Sequence, residues 1–398
     1  MKPLGHIKIL DLTHMLSGPY ATQLLADLGA DTIKVEPPVH GEGTRRLLEH
    51  DEAHSIDGMG AYFLTLGRNK QSICIDLKVA SGKTLFYDLV KEVDVVVYNF
   101  RAGVAEKLGI DHASLEKVNP RIVTCSITGF GETGRNKGAL SFDLVAQATG
   151  GGMSVTGDED QPLRSGIPIG DLGGGLMGAI GILSALESRH TTGKGQHIDI
   201  SMQDAQLSML NYMATMFFLS GKQPPASGNS HFVHVPYDSF KTKDGHLIVA
   251  IITDGLWDRF VAIMGLTHLA TEENKGQPGR WKNRAQIMAE VAQLLATECN
   301  QVWLEKLQKD GIPCAPVNTI AAALSDPHVH DRRMVVDVRH PNGQSVKQVG
   351  NPIKLSDYPE EAFTAPPLLG HDTDAVLSRL LGFGADTLSG LRYRGVIQ

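Results

Sequence analysis

Between residue 7 and about residue 130 the chain repeats one pattern, a short run of β-branched and apolar residues followed by a stretch of helical spacing. Ile7–Leu12, Thr32–Glu36, Ser72–Asp76, Val93–Tyr98 and Ile122–Thr128 are the runs; Pro19–Leu28, stopped by Gly29, and Gly82–Lys91 are helical stretches between them. A strand that is apolar on both faces and hands over to a helix needs neighbours running the same way, with helices covering both sides of the sheet. The spacing therefore predicts an α/β fold with a doubly wound parallel sheet, whose ligands bind at the carboxyl ends of its strands. A helix ending near His190, a strand at 197–201 and a helix at 202–219, rich in Met and Leu of the kind that fills a core, extend this half.

Polarity and turn residues rise from Gly221 to Ser230, which reads as a linker or mobile loop. Pro236–Asp258 reads as a strand pair turning at Lys243-Asp244-Gly245, helices follow to about 310, and Pro313 and Pro316 close the unit. From 317 the pattern returns to short strands and turns. The expected organisation is a large domain at 1–220, a small domain at 221–316 and a C-terminal segment at 317–398 that packs back on the first half.

With 398 residues, 42% apolar and 20% charged, the chain is long enough for two domains and a large core. Its net charge of -7 offers no general attraction to nucleic acid or anionic membrane, so neither is expected as a partner and an anionic ligand must be held by local basic groups. Cys74, Cys125, Cys299 and Cys314 are scattered and form no CxxC pair, as structural thiols in a reducing compartment do. The N-terminus lacks the build of a signal peptide, and the longest uncharged stretch, Leu172–Leu186, is shorter than the roughly 18 to 20 residues of a membrane span. A cytoplasmic location is the expectation.

One carboxylate stands out. Asp171 ends the apolar run Ile167-Pro168-Ile169-Gly170, and Gly173, Gly174 and Gly175 follow before a long helix is expected to begin. Glycines let a backbone or substrate approach closely, and a helix start offers unpaired N–H groups, so this is a seat for a nucleophilic carboxylate. Taken by itself it is more commonly the composition of an Asp N-cap on a close-packed helix. Gly129-Phe130-Gly131-Glu132-Thr133-Gly134 matches GxGxxG, but it follows a late strand and opens no helix, which makes it a backbone turn rather than a dinucleotide site. No HExxH, Cys/His cluster or GxSxG occurs, so metal and serine-hydrolase chemistry lack their residues. Arg45, Arg46, Arg68, Lys70, Lys78, Arg101, Lys107, Arg135 and Lys137 gather near strand ends, where a phosphate-bearing ligand would find them.

A series of short stretches resembles the class III CoA-transferases, the family of formyl-CoA transferase and carnitine CoA-transferase that also contains α-methylacyl-CoA racemases. The stretches are Ser17-Gly18-Pro19, Ala26-Asp27-Leu28-Gly29-Ala30, Ile33-Lys34-Val35-Glu36, Asn69-Lys70, Ile75-Asp76-Leu77-Lys78, Asn99-Phe100, Val145-Ala146-Gln147, Gly170-Asp171, Thr192-Gly193-Lys194-Gly195-Gln196 and Met202-Gln203-Asp204-Ala205. The resemblance implies a Rossmann-like large domain made from both ends of the chain, a smaller α+β domain and a homodimer interlocked like two rings. It also implies that Asp171 is the nucleophile, forming an aspartyl anhydride and then an aspartyl-CoA thioester, with backbone amides of the Gly173-Gly174 run on the oxyanion. It further implies that no cofactor is tightly bound and that a CoA thioester and a carboxylic acid are the substrates. CoA would lie along Ile75, Asp76, Leu77 and Lys78, along Asn99, Phe100, Arg101 and Lys107, and along Leu140, Ser141, Phe142 and Asp143, with Met202 near the pantetheine.

The chain departs from formyl-CoA transferase at four places: Leu16 replaces a glutamine beside the active site, Pro37 an arginine on the nucleotide, Asp143 a glutamate near the acyl group, and the tetraglycine flap is missing from 221–235. Other acids are therefore expected, dicarboxylic acids such as succinate among them, with Arg164, His231 and His234 as candidates for a second carboxylate. Racemases use a His-Asp pair where this chain has Phe142-Asp143, and a glutamate where it has Thr253. A racemase and a non-catalytic acyl-CoA binder are the alternatives.

Overall fold

The computed structural model describes residues 2–157, 161–340, 342–358 and 362–398. The chain divides into two compact units, one of residues 1–153, 164–223 and 332–398, the other of 154–163 and 224–331.

In the larger unit the strands are β1 (Lys8–Asp11), β2 (Asp31–Glu36), the short pair β3 (Ser55–Ile56) and β4 (Met59–Gly60), then β5 (Lys70–Cys74), β6 (Val95–Tyr98), β7 (Val123–Thr128) and β8 (His197–Ser201). Six of them form one sheet in the order β5-β2-β1-β6-β7-β8, every neighbouring pair parallel. Counted along the chain this is the doubly wound order 3-2-1-4-5-6, and the order reverses between β1 and β6. Alternate residues of each strand feed two cores. Leu10, Ile33, Ile73 and Val96 pack with Phe86 and Leu89 on one face, while Ile9, Val97, Cys125 and Ile127 pack with Leu25 and Ile182 on the other.

The long helix spans Ile169–Thr192 and starts before the glycine run, not after it. Intrinsic propensity disfavours Gly173, Gly174 and Gly175 inside a helix, but contact overrides it. A Cβ on Gly175 would lie 2.6 Å from the Ser17 carbonyl oxygen of the helix Ser17–Asp27, and one on Gly174 would lie 3.0 Å from Met202 Cγ. By length and composition alone this 24-residue helix could cross a membrane, longer than the uncharged stretch within it suggested; half of its most apolar window is buried in the protein.

The stretch 202–219 is two helices, Met202–Leu210 and Tyr212–Ser220, broken at Asn211, whose backbone (φ 48°, ψ -121°) is not helical. Core packing, expected of its Met and Leu side chains, fails for the second helix: it has no buried residue, and Phe218 and Leu219 are 81% and 84% exposed. The C-terminal segment is more helical than expected. It holds the hairpin β12 (Val335–Arg339) and β13 (Ser345–Val349), which follows the strands of the smaller unit in the chain, and then the helices Thr373–Leu381 and Ala385–Tyr393. Their Val376, Leu377, Leu388 and Leu391 complete the first of the two cores.

The smaller unit carries β9 (Tyr237–Lys241), β10 (His246–Ala250) and β11 (Cys314–Pro316) in an antiparallel sheet of order β11-β10-β9, the first two joined at the expected turn. Trp257, Phe260, Val291, Leu295 and Trp303 from its helices cover that sheet. Pro316 does not end the unit, because β11 is an edge strand, where proline is tolerated, and the unit continues through Ile320–Ser325 and Pro327–Asp331.

Candidate active site

The site of the larger unit lies where the strand order reverses. Leaving β1, the chain forms the loop Thr13-His14-Met15-Leu16, and Asn99 after β6 stitches it down: His14 N donates to Asn99 Oδ1 at 2.7 Å and Asn99 Nδ2 donates to the His14 carbonyl at 2.7 Å. Beneath the loop is a cluster of charges without solvent contact. The Asp11 carboxylate accepts from Lys70 Nζ at 2.9 Å, Thr22 Oγ1 at 2.8 Å and Thr13 N at 2.9 Å, and Lys34 Nζ donates to the Thr13 carbonyl at 2.7 Å. Burial works against the Asp11 charge, but Lys34 and Lys70 outweigh it and hold the carboxyl well below the usual range. Burial, with Lys34 next, lowers His14 to about 4, so this imidazole is neutral at neutral pH.

Three of the basic residues expected at a phosphate are thus spent inside the fold. Lys70 serves Asp11, Arg45 Nε lies 2.7 Å from Glu36, and Arg68 Nη2 lies 2.6 Å from Asp27. A buried cation is committed to its own counter-ion, which spacing alone does not reveal.

A cavity of about 600 Å³ opens over the loop, and Asp171 lines it together with Leu16, Asn99, Phe100 and Arg101. Leu140, Ser141, Phe142 and Asp143 form another wall, and Lys137, Arg164 and Met202 also line it. Ile75, Asp76, Leu77 and Lys78 line a second, apolar cavity of about 170 Å³ at the ends of β2 and β5, and His14 and Phe100 border both. Most of the expected CoA residues are therefore gathered into two adjoining cavities. Lys107 is exposed and lines neither.

Asp171 occupies the third position of the long helix; Pro168 precedes the helix without capping it by a side chain, so Asp171 is not an N-cap. The cap comes from elsewhere: Asp143 Oδ1 accepts from Gly170 N at 2.8 Å and Asp171 N at 3.3 Å, and its Oδ2 accepts from Gln147 Nε2 at 2.8 Å. A carboxylate at a helix N-terminus answers both the unpaired N–H groups and the dipole. Asp143 is thus tied to the helix rather than free for an acyl group, a role that 28 residues of separation hide from sequence reading. Burial, and then the Asp143 charge, raise the half-buried Asp171 carboxyl to about 6.

One expectation about the glycine run needs correction. Gly173 and Gly174 are buried within the helix, whose i to i−4 ladder takes their N–H groups, so they cannot cradle an oxyanion. His231 and His234 belong to the smaller unit, where their ring centroids are 4.5 Å apart and Gln277 Nε2 meets His234 Nδ1 at 2.9 Å. Thr253 caps the helix Asp254–Met264 through the Leu256 N–H. Gly129–Gly134 is a turn after β7, with Gly131 and Gly134 at φ 81° and 78°, and its Gly129 and Phe130 line the cavity. Among the described residues no group of three or more His, Cys, Asp or Glu side chains could hold a metal.

The larger unit is a doubly wound α/β sheet whose switch point carries a cavity with a half-buried carboxylate, Asp171, in its wall. The chain belongs to CoA-transferase family III, whose sequence profile matches residues 4–373. It is 37% identical over 393 residues to the succinyl-CoA:mesaconate CoA-transferase of Haloarcula hispanica, covering 97% of this chain and 98% of that one. It is 35% identical over 388 residues to the succinate–glutarate CoA-transferase of Agrobacterium fabrum, covering 95% and 96%. A crystal structure of a CAIB/BAIF family protein from Brucella suis superposes with a TM-score of 0.84 at 35% identity, over 95% of this chain and 99% of that one.

Proposed function

We propose that this CoA-transferase moves CoA from an acyl-CoA thioester to a free dicarboxylic acid, with Asp171 carrying first the acyl group and then CoA. The observation that supports it is the raised carboxyl of Asp171 in the wall of the larger cavity. A carboxylate stripped of part of its water is more basic and more nucleophilic than an exposed one, yet at neutral pH it is mostly ionised. Its oxygen attacks the thioester carbonyl, the C–S bond breaks, and CoA thiolate leaves an acyl-aspartyl anhydride. The thiolate then attacks the Asp171 carbonyl and expels the donor acid as its carboxylate. The acceptor carboxylate repeats the steps in reverse order: it attacks the aspartyl thioester, and the released thiolate takes the acceptor acyl group and frees Asp171. Overall one thioester is exchanged for another of similar energy, and the higher-energy anhydrides pass only transiently between them. The dicarboxylic class is carried over from the mesaconate and glutarate enzymes.

Brief incubation with succinyl-CoA, followed by hydroxylamine and peptide mass analysis, is expected to place a hydroxamate on the Asp171 peptide, absent from Asp171→Ala. Deuterium entering the acyl α-carbon in heavy water without any adduct would instead mark a racemase.

The same reading includes an interlocked homodimer. The helix Tyr212–Ser220 supports it, since it leaves Phe217, Phe218 and Leu219 in solvent, an apolar surface of the kind that subunits cover. Light scattering is expected to give twice the chain mass of 42.9 kDa, and Phe218→Lys with Leu219→Lys is expected to shift that mass toward one chain. A wild-type mass of one chain would remove this part of the reading.

A further inference from the structure

The segment 164–168 leads into the long helix, and its first residue, Arg164, lines the cavity that Asp171 faces. Arg101, Lys137 and His14 are the other cationic or basic side chains there. Arg101 Nε donates to the Gly138 carbonyl at 2.7 Å, Lys137 lies in the same 137–141 stretch, and His14 is neutral. Arg164 Nη1 donates to the carbonyl of Ser165 at 3.3 Å, and among the described residues no carboxylate pairs with it. Two carboxylates, Asp143 and Asp171, share the cavity with it, but Asp143 is occupied by the Gly170 and Asp171 amides and Gln147. Burial and Asp143 account for the upward push on Asp171, and no cation pulls it back. The exposed Arg164 guanidinium thus pairs with no carboxylate among the described residues while it lines the same cavity as Asp171.

Its place is nonetheless built. Ser165 N donates to Gln147 Oε1 at 2.9 Å, while Gln147 Nε2 holds Asp143 Oδ2 at 2.8 Å. One amide side chain thus registers the backbone beside Arg164 against the residue that caps the nucleophile's helix. An acid entering this cavity is an anion approaching two carboxylates, and a dicarboxylate brings a second charge that the first half of the reaction does not consume. A planar guanidinium meets a carboxylate through two parallel hydrogen bonds, a geometry that an ammonium lacks.

We infer that Arg164 reads the distal carboxylate of the acid exchanged at Asp171 and so sets the preference for dicarboxylic over monocarboxylic acids. The inference rests on Asp171 as the acyl carrier and names the residue that selects the substrate class. A site built around a charge discriminates strongly against a ligand that lacks it, because its own charged group is then left unanswered.

The test compares wild type, Arg164→Met and Arg164→Lys in full-length protein. Labelling of Asp171 by succinyl-CoA is measured against labelling by acetyl-CoA, together with kcat/KM for succinate or glutarate against butyrate as acceptor. In Arg164→Met the dicarboxylate kcat/KM is expected to fall by about 10²-fold, mainly through KM, while acetyl-CoA labelling and butyrate change by less than about threefold. Arg164→Lys is expected to recover part of the loss. Equal losses for both acid classes, no loss in either, or a wild type indifferent to the second carboxylate would each overturn the inference. Failure of the Asp171 reading looks different: wild type would then carry no hydroxylamine-sensitive adduct with any donor.

Discussion

Asp171→Asn is expected to lose CoA transfer by about 10⁴-fold or more while folding more stably than wild type above pH 6. The first effect follows from removing the nucleophile; the second follows from its environment. Burial and the Asp143 charge raise the carboxyl from 3.8 to about 6, so the folded chain holds a proton that the unfolded chain has already released over that interval. The stability this gives the protonated form is complete below pH 3.8, shrinks as pH rises through about 6, and is absent above it. Allowing for partial exposure, the ionised carboxylate costs about 2 kcal/mol, which the asparagine does not incur. Denaturant melts at pH 8 and pH 4 check this: the variant should be the more stable at pH 8 and lose that advantage at pH 4. The wild-type kcat/KM should rise with pH through about 6, and a flat profile across that range would contradict the assignment of Asp171 as a nucleophile that must ionise.

Lys70→Met is expected to destabilise the fold by about 3–5 kcal/mol, as breaking one side of a buried ion pair does. Asp11 and Lys70 are both without solvent exposure, and Lys70 Nζ also donates to the Pro19 carbonyl and Thr22 Oγ1 at 3.0 and 2.8 Å. Methionine fills the space but leaves the Asp11 carboxylate with Lys34, 3.9 Å away, as its remaining counter-ion. Because the cluster depresses the Asp11 carboxyl in the wild type, its contribution is present above the ordinary aspartate range and fades in acid. The gap between Lys70→Met and wild type in urea midpoint should therefore hold from pH 7 to about pH 4 and narrow only below it. Asp11→Asn combined with Lys70→Met should recover part of the loss, since the paired charges leave together while Lys34 keeps its bond to the Thr13 carbonyl; a double variant no more stable than the sum of the singles would show that Lys70 acts mainly by packing.

The strands β1, β2, β6 and β7 were readable from local sequence because a parallel strand buried on both faces can be little else than a run of Ile, Val and Leu, and its residues say so without reference to anything distant. The turn at Lys243-Asp244-Gly245 is legible for the same local reason. Asp171 attracts notice because a carboxylate among glycines and apolar residues is costly to place. Which groups surround it is a different matter. The start of its helix at Ile169 was decided by the helix Ser17–Asp27 and by Met202, whose closeness makes glycine the residue that fits where propensity would reject it. Asp143 as the cap, Gln147 as its tie and Arg164 as an unspent cation arise from contacts across 4 to 28 positions of chain that no periodicity encodes. Lys70 and Arg45 look in sequence like ligand-facing bases and are in fact counter-ions of the interior. The break at Asn211 sends Phe218 and Leu219 to the surface although their composition belongs to a core. Alternation and apolar runs determine element type because those depend on a residue and its near neighbours; the charge state of Asp171, the shape of its cavity and the partners of each cation depend on which elements meet, and only the tertiary structure decides that.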